Sequence, residues 1–181
     1  MYYLADTEEL NKKDDRLNLN DYYVFKNGFS EEECLKIIRD NEASNKLEFS
    51  EKNFWIYKKL SGFAMEANRE SWHFDLHGFC DPIILESFLG EGVYAPRSDM
   101  AKNFFNECKQ YSKVSFHIPL SKEQDYTGGE HLIHNSGTPV YAEKEMGTCL
   151  LFPSYMISGV TPVTKGNKYW LRGFLFGSHF K

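Results

Sequence analysis

Apolar residues follow two different periods along this chain, and the change comes near Trp72. Before it, two segments carry apolar side chains at the three-to-four residue spacing of a helix buried on one face. The first opens on Ser30-Glu31-Glu32-Glu33, a capping box in which the serine hydroxyl and the third glutamate each serve an otherwise unpaired backbone N–H. Cys34, Leu35, Ile37 and Ile38 then supply its apolar face. The second predicts a helix over 51–68, with Ser50 as N-cap, Ile56, Leu60, Phe63, Ala64 and Ala67 on the apolar side, and Gly62 as its weak point. Ahead of both, Tyr22-Tyr23-Val24-Phe25 closes on Asn27-Gly28, the composition of a strand ending in a turn.

From Trp72 onward, short β-branched and aromatic runs at 72–76, 83–88, 114–120, 131–134, 148–152 and 168–176 alternate with Gly, Pro, Asn and Asp. Strands at this spacing predict a mainly β fold, an antiparallel sandwich or barrel with helices packed on its outside. Residues 1–20, with the cluster Lys12-Lys13-Asp14-Asp15-Arg16, read as a loosely tied N-terminal arm, and 21–181 as one domain.

Composition agrees and narrows the function classes. The hydrophobic share of 41%, with 15 Phe and 11 Tyr, suits a packed β-rich interior. No apolar run reaches bilayer-spanning length and the first residues do not read as a signal peptide, so the expectation is a soluble cytoplasmic protein. Cys34, Cys80, Cys108 and Cys149 lack metal-type spacing and are expected as reduced, small buried hydrophobes. A net charge of -5 without a basic block gives no nucleic-acid footprint.

Two motifs carry more information. Asp125-Tyr126-Thr127-Gly128-Gly129-Glu130 is followed by Phe152-Pro153-Ser154-Tyr155 and Val160-Thr161-Pro162-Val163-Thr164-Lys165-Gly166. Together they resemble the C-terminal half of the iron(II)/2-oxoglutarate oxygenase superfamily, in its prolyl-4-hydroxylase-like branch. Phe74-Asp75-Leu76-His77-Gly78-Phe79 is similar to a segment of small oxygenases from tailed phages and marine bacteria. The resemblance runs from about Asp21 to Gly177 and implies a double-stranded β-helix, a jelly-roll or cupin-like barrel. In such enzymes a His-x-Asp pair and a later His bind iron at the barrel mouth, and a basic residue holds the cosubstrate's far carboxylate.

Carried over residue by residue, the resemblance puts the metal pair after Gly90-Glu91-Gly92-Val93-Tyr94, where this chain has Pro96-Arg97-Ser98-Asp99. Arg97 stands in the histidine position and Asp99 keeps the carboxylate. The distal histidine position holds Ser158. An alternative pair, His73-Phe74-Asp75, has the right letters in a different context and would still lack a distal partner. Arginine has no lone pair to give a cation and a serine hydroxyl is a weak neutral ligand, so the expectation is no catalytic iron and no cofactor.

Arg97 and Asp99 lie two apart, so on a strand they share a side and can pair in place of a metal. Lys168 takes the position of the cosubstrate-binding base, and Trp170 and Arg172 share its face. Trp170 would crowd a pocket for a small acid, while Arg97, Lys168 and Arg172 together can line an anion pocket. In the bland alternative Arg172 turns to the rim and Lys168 pairs with a carboxylate.

His117, His131 or His134 could join Asp99 in a non-standard metal site, although a lone strand histidine is more often simply hydrogen-bonded. Gly128-Gly129 reads as turn geometry, and Pro153 and Pro162 bracket the turn that, by the resemblance, holds the distal ligand in the family. Residues 92–111, with Lys102, Phe104, Phe105 and Lys109, form a long mouth segment, read as an amphipathic helix or a covering loop.

Three functions follow as expectations. The first is a non-catalytic module binding a protein or an anionic small molecule. The second is an active hydroxylase of a peptide, nucleobase or small molecule, using iron(II), 2-oxoglutarate and non-standard ligands. The third is a structural role with a plugged barrel.

Overall fold

Helix α1 (Glu31–Asn41) begins where the capping box predicts: the Glu33 N–H donates to Ser30 Oγ at 3.2 Å and the Ser30 N–H to Glu33 Oε2 at 2.8 Å. Its fellow α2 (Phe54–Ala67) starts later than 51, because the Asn53 and Phe54 N–H groups both turn back to the Ser50 carbonyl. Asn53, not Ser50, is the N-cap, and its side chain donates to the Glu48 carbonyl. Lys59 of α2 reaches Glu33 of α1 at 2.7 Å and joins the two helices.

The computed structural model of the protein describes residues 16–19, 22–89, 92–100, 110–135 and 138–178. Its strands in chain order are β1 (Arg16–Leu19), β2 (Tyr22–Phe25), β3 (Lys46–Leu47), β4 (Leu76–Gly78), β5 (Ile83–Leu89), β6 (Gly92–Ser98), β7 (Tyr111–Pro119), β8 (Tyr126–Gly128), β9 (His131–Asn135), β10 (Thr138–Tyr141), β11 (Cys149–Pro153) and β12 (Ile157–Gly177). Every strand pairing is antiparallel, and the fold is a mainly β double-stranded β-helix with two flanking helices.

Strand β12 belongs to both layers. Its residues 157–166 pair with β6, β8 and β9 in a smaller sheet extended by β10, and residues 167–177 pair with β5, β7 and β4 in the larger one. The larger sheet runs β1-β2-β11-β7-β12-β5-β3. Where the strand changes sheets, Gly166 takes φ +80, and a Cβ there would lie 2.0 Å from the Asp125 carbonyl oxygen. Only glycine fits that crossing without strain.

Strand β7 shows how layers are assigned. Val114-Ser115-Phe116-His117-Ile118 is buried throughout, because Phe116 and Ile118 face the helices while Ser115 and His117 face the opposite sheet. Phe116, Ile118, Leu171 and Leu175 form one core with Ile56, Leu60 and Ala64 of α2. Val24, Leu150, Phe152 and Ile133 fill one part of the space between the sheets, and Phe88, Tyr94, Val160 and Trp170 another.

Several expectations are corrected. Residues 72–75 are not a strand, which begins only at Leu76: α2 continues into a π-helical turn (Asn68–Trp72), and Trp72 and Phe74 stack on each other against the core. Tertiary packing of these aromatics overrides their strand propensity. Arg16–Leu19, placed in the arm, pairs with β2. Gly92–Ser98 is a strand and not a helix, while Lys102, Phe104, Phe105, Cys108 and Lys109 lie outside the described residues. Cys34 and Cys149 are buried and Cys80 is half-buried. Among the described residues no helix is long and apolar enough to cross a membrane.

Candidate functional site

The end of β6 and the start of β12 run side by side, with Ser158 directly opposite Arg97. Opposite residues of an antiparallel pair project to the same face, here the interior, and Asp99 follows two residues on. Ser158 and Asp99 are both completely buried. The three positions assigned by family resemblance therefore lie together.

Two neutral donors bind the Asp99 carboxylate. Tyr94 donates its hydroxyl to Oδ1 at 2.9 Å and Ser115 donates to Oδ2 at 3.2 Å, while the Ser115 and Ser154 hydroxyls lie 3.0 Å apart. Burial, and then the Asp99 carboxylate, push the Tyr94 hydroxyl well above the ordinary phenol range. The Arg97 Nε atom is 4.0 Å from Asp99 Oδ1, too far for a hydrogen bond, and the guanidinium carbon sits 3.7 Å from the centre of the Tyr94 ring. Arg97 thus stacks on the tyrosine that binds Asp99 and stays only within ion-pair range of Asp99 itself.

Lys168, Trp170 and Arg172 share the inner face of β12, as alternation requires. Lys168 Nζ donates to the Gly129 carbonyl at 2.7 Å, within 5.1 Å of the Trp170 ring centre and 5.6 Å of the Tyr126 ring centre. Burial, then the nearby Lys144, bring its ammonium down to about 8, against a smaller opposing pull from Glu130. The nearby Glu130 carboxylate is engaged elsewhere, accepting from Lys144 at 2.8 Å. Arg172 is not at the rim: its side chain is 12% exposed and bonds Glu86 at 2.6 Å. Glu86 also accepts from Trp170 Nε1 at 2.9 Å.

Two histidines fill the remaining space. His117 Nδ1 is 2.6 Å from His131 Nε2, and Trp170 and Phe152 pack against both rings. The cavity bounded by His117, His131, Lys144, Lys168 and Trp170 has a volume of about 10 Å³, which is room for roughly one water molecule. His134 points the other way along β9 and is half-buried beside Ile157.

The alternative His73-Phe74-Asp75 lies elsewhere. His73 ends the π-helical turn with φ 51, and Asp75 bonds Ser178 beyond the far end of β12 from Ser158. Among the described residues, no group of three His, Cys, Asp or Glu side chains is gathered to hold a metal. Two participants escape the sequence reading, Glu86 and Ser115. A signal exists for the first: Glu86 is a lone carboxylate within the apolar run Ile83-Ile84-Leu85-Glu86-Ser87-Phe88, facing a strand that carries two cations.

No protein-family model matches the chain. It is 35% identical over 86 residues to a PKHD-type hydroxylase from Colwellia psychrerythraea, covering 48% of this chain and 38% of that protein. A PKHD-type hydroxylase from Gloeothece citriformis is 30% identical over 80 residues, 44% of this chain and 34% of the relative. The matches thus span little more than a third of the length of these curated relatives.

Solved structures agree over most of the chain. A Pseudomonas putida prolyl-4-hydroxylase aligns with a TM-score of 0.67 at 16% identity, covering 88% of this chain and 89% of that one. A viral collagen prolyl hydroxylase from Paramecium bursaria Chlorella virus-1, solved with 2-oxoglutarate, gives 0.66 at 16% identity over 87% and 96%. A Trichoplax adhaerens prolyl hydroxylase, solved with a hypoxia-inducible-factor peptide fragment, gives 0.67 at 15% identity over 88% and 85%. The fold is that of the prolyl-4-hydroxylase-like iron(II)/2-oxoglutarate oxygenases. Over less than half of its length, the sequence is similar to the PKHD-type hydroxylases.

Proposed function

We propose that this chain uses a prolyl-4-hydroxylase-like barrel as a non-catalytic module that binds a protein or an anionic ligand. The observation that carries this reading is the facing pair of Ser158 and Arg97 beside Asp99. One carboxylate, already bonded by Tyr94 and Ser115, is the sole strong metal donor of the three. A guanidinium that keeps its proton and a neutral hydroxyl complete the set, which does not fit iron(II). Nor does a cavity of about 10 Å³ beside Lys168 fit 2-oxoglutarate while Trp170, His117 and His131 hold their positions.

The test is metal analysis of protein produced in iron-supplemented cells, together with an assay for succinate from 2-oxoglutarate. Iron far below one atom per chain and no succinate are expected. Iron near one per chain, lost in Asp99→Ala, would overturn the reading.

A second reading, a hydroxylase with altered ligands, draws on the kinship with PKHD-type hydroxylases and the retained Asp99 and Lys168. It requires succinate formation that depends on added iron(II) and falls in Asp99→Ala.

A further inference from the structure

Four deeply buried polar atoms around Tyr94 make no hydrogen bond within the protein: Arg97 Nε, Arg172 Nε, Ser158 Oγ and His117 Nε2. Buried polar groups are nearly always paired, because one left unmet forfeits its hydration with nothing in return. Four such atoms in one cluster call for a common partner. Their proximity is fixed by several links. Ser158 faces Arg97 across β6 and β12, and His117 faces Arg172 across β7 and β12. Both guanidiniums lie against the Tyr94 ring, at 3.7 and 5.4 Å.

The chemistry of these atoms decides what the partner is. Each arginine Nε–H is a donor only, and the serine hydroxyl and a neutral imidazole N–H can both donate. The shared partner is therefore an acceptor. Charge agrees with an anion: Arg97, whose side chain is 38% exposed, Arg172 and Lys168 supply three positive charges around this cluster, against two negative ones on Asp99 and Glu86. A single negative charge closes that balance. A cleft of about 410 Å³ lined by Glu86, Phe88, Tyr94 and Arg97 among others reaches Arg97 from outside.

We infer that Arg97, Arg172 and Ser158 form a binding site for a small monoanion, a chloride ion or the carboxylate of a monocarboxylic acid. This rests on the non-catalytic reading above and sharpens it. The anion sits on the Arg97 and Arg172 side of Trp170, and Lys168 contributes charge and no contact, its amine being committed to Gly129.

The test is NMR of arginine ¹⁵N-labelled protein titrated with sodium chloride and, separately, sodium acetate, with sodium sulfate holding ionic strength. The Nε–H signals of Arg97 and Arg172 are expected to shift saturably, while those of exposed Arg39 and Arg69 drift without saturating. Arg97→Lys and Arg172→Lys assign the signals, and each should weaken binding roughly tenfold or more. Should these variants fail to fold, the wild-type titration with its internal controls still decides. Saturation by chloride alone identifies a halide site, and saturation by acetate a carboxylate site. If Arg97 and Arg172 respond to both salts only as Arg39 and Arg69 do, water fills the site and the inference is overturned. That result with iron-free protein leaves the non-catalytic reading standing, whereas one iron per chain overturns both.

Discussion

His117 Nδ1 and His131 Nε2 lie 2.6 Å apart in the barrel interior, so one of the two nitrogens donates and the other accepts. That geometry requires the accepting imidazole to be neutral, and burial disfavours a charge on either ring. Burial is the main cause, and it brings His131 down to about 3 with a further contribution from Lys168. His117 is also well below its ordinary value, through burial first and then His131 and Arg172.

Stability therefore falls as pH drops from about 6.5 toward 3, because the unfolded chain takes up protons there that the folded chain refuses. Each group contributes a slope of about 1.4 kcal/mol per pH unit. His131→Gln retains a polar partner for His117 and removes one titrating group. Urea denaturation near pH 6 and pH 4.5 should show the wild-type slope reduced by about that amount. An unchanged slope would mean His131 is not held neutral.

The two sequence signatures are stitched directly to each other. Gly129 N–H donates to the Pro162 carbonyl at 3.1 Å, Thr161 N–H to the Glu130 carbonyl at 2.9 Å, and Glu130 N–H to Thr161 Oγ1 at 2.8 Å. Gly128 takes φ +81, and a Cβ there would lie 2.0 Å from the Pro162 oxygen. Gly128→Ala is expected to destabilise by about 2–4 kcal/mol, combining backbone strain with the lost approach of the two segments. A shift below about 0.5 kcal/mol in chemical denaturation would refute that account.

Such local stitching explains what was legible in the chain. Gly128-Gly129-Glu130 and Val160-Thr161-Pro162-Val163 are constrained by each other and by the turn, so they survive as readable words whatever the cavity holds. The capping box of α1 was legible for the same reason, its four residues satisfying one another. By contrast, 72–76 looked like a strand because aromatic propensity says nothing of the core that stacks Trp72 on Phe74. The Arg97–Asp99 pair was legible as proximity but not as geometry. Tyr94, known from sequence only as a landmark, donates a hydrogen bond to Asp99 and offers its face to Arg97. Glu86 went unread because its partners Trp170 and Arg172 are distant in sequence and adjacent only through strand register.

Lys168 gives a pH dependence of its own on the alkaline side. Its folded value near 8 lies below the ordinary 10.5, so between these the unfolded chain binds more protons and stability rises with pH. The rise should approach 1.4 kcal/mol per unit between about pH 8 and 9.5, before tyrosine ionisation opposes it. In Lys168→Met the rise should vanish, and a persistent rise would assign it to another group.

The arrangement of Arg97, Asp99 and Ser158 makes a stronger demand. If these residues stand in the positions of a metal triad, as the family resemblance implies, the missing ligands can be put back. Arg97→His combined with Ser158→His would place two imidazoles beside a carboxylate on the inner face, a two-histidine, one-carboxylate set suited to iron(II). The double variant is expected to retain close to one iron per chain in anaerobic equilibrium dialysis, and either single variant far less. It should still form no succinate from 2-oxoglutarate, because Trp170, His117 and His131 continue to fill the space beside Lys168. Adding Trp170→Ser opens that space and, if the side chain alone blocks it, lets 2-oxoglutarate raise the thermal stability of the iron-loaded protein. Failure of the double variant to bind iron while remaining folded would show that the three positions do not converge as the register requires.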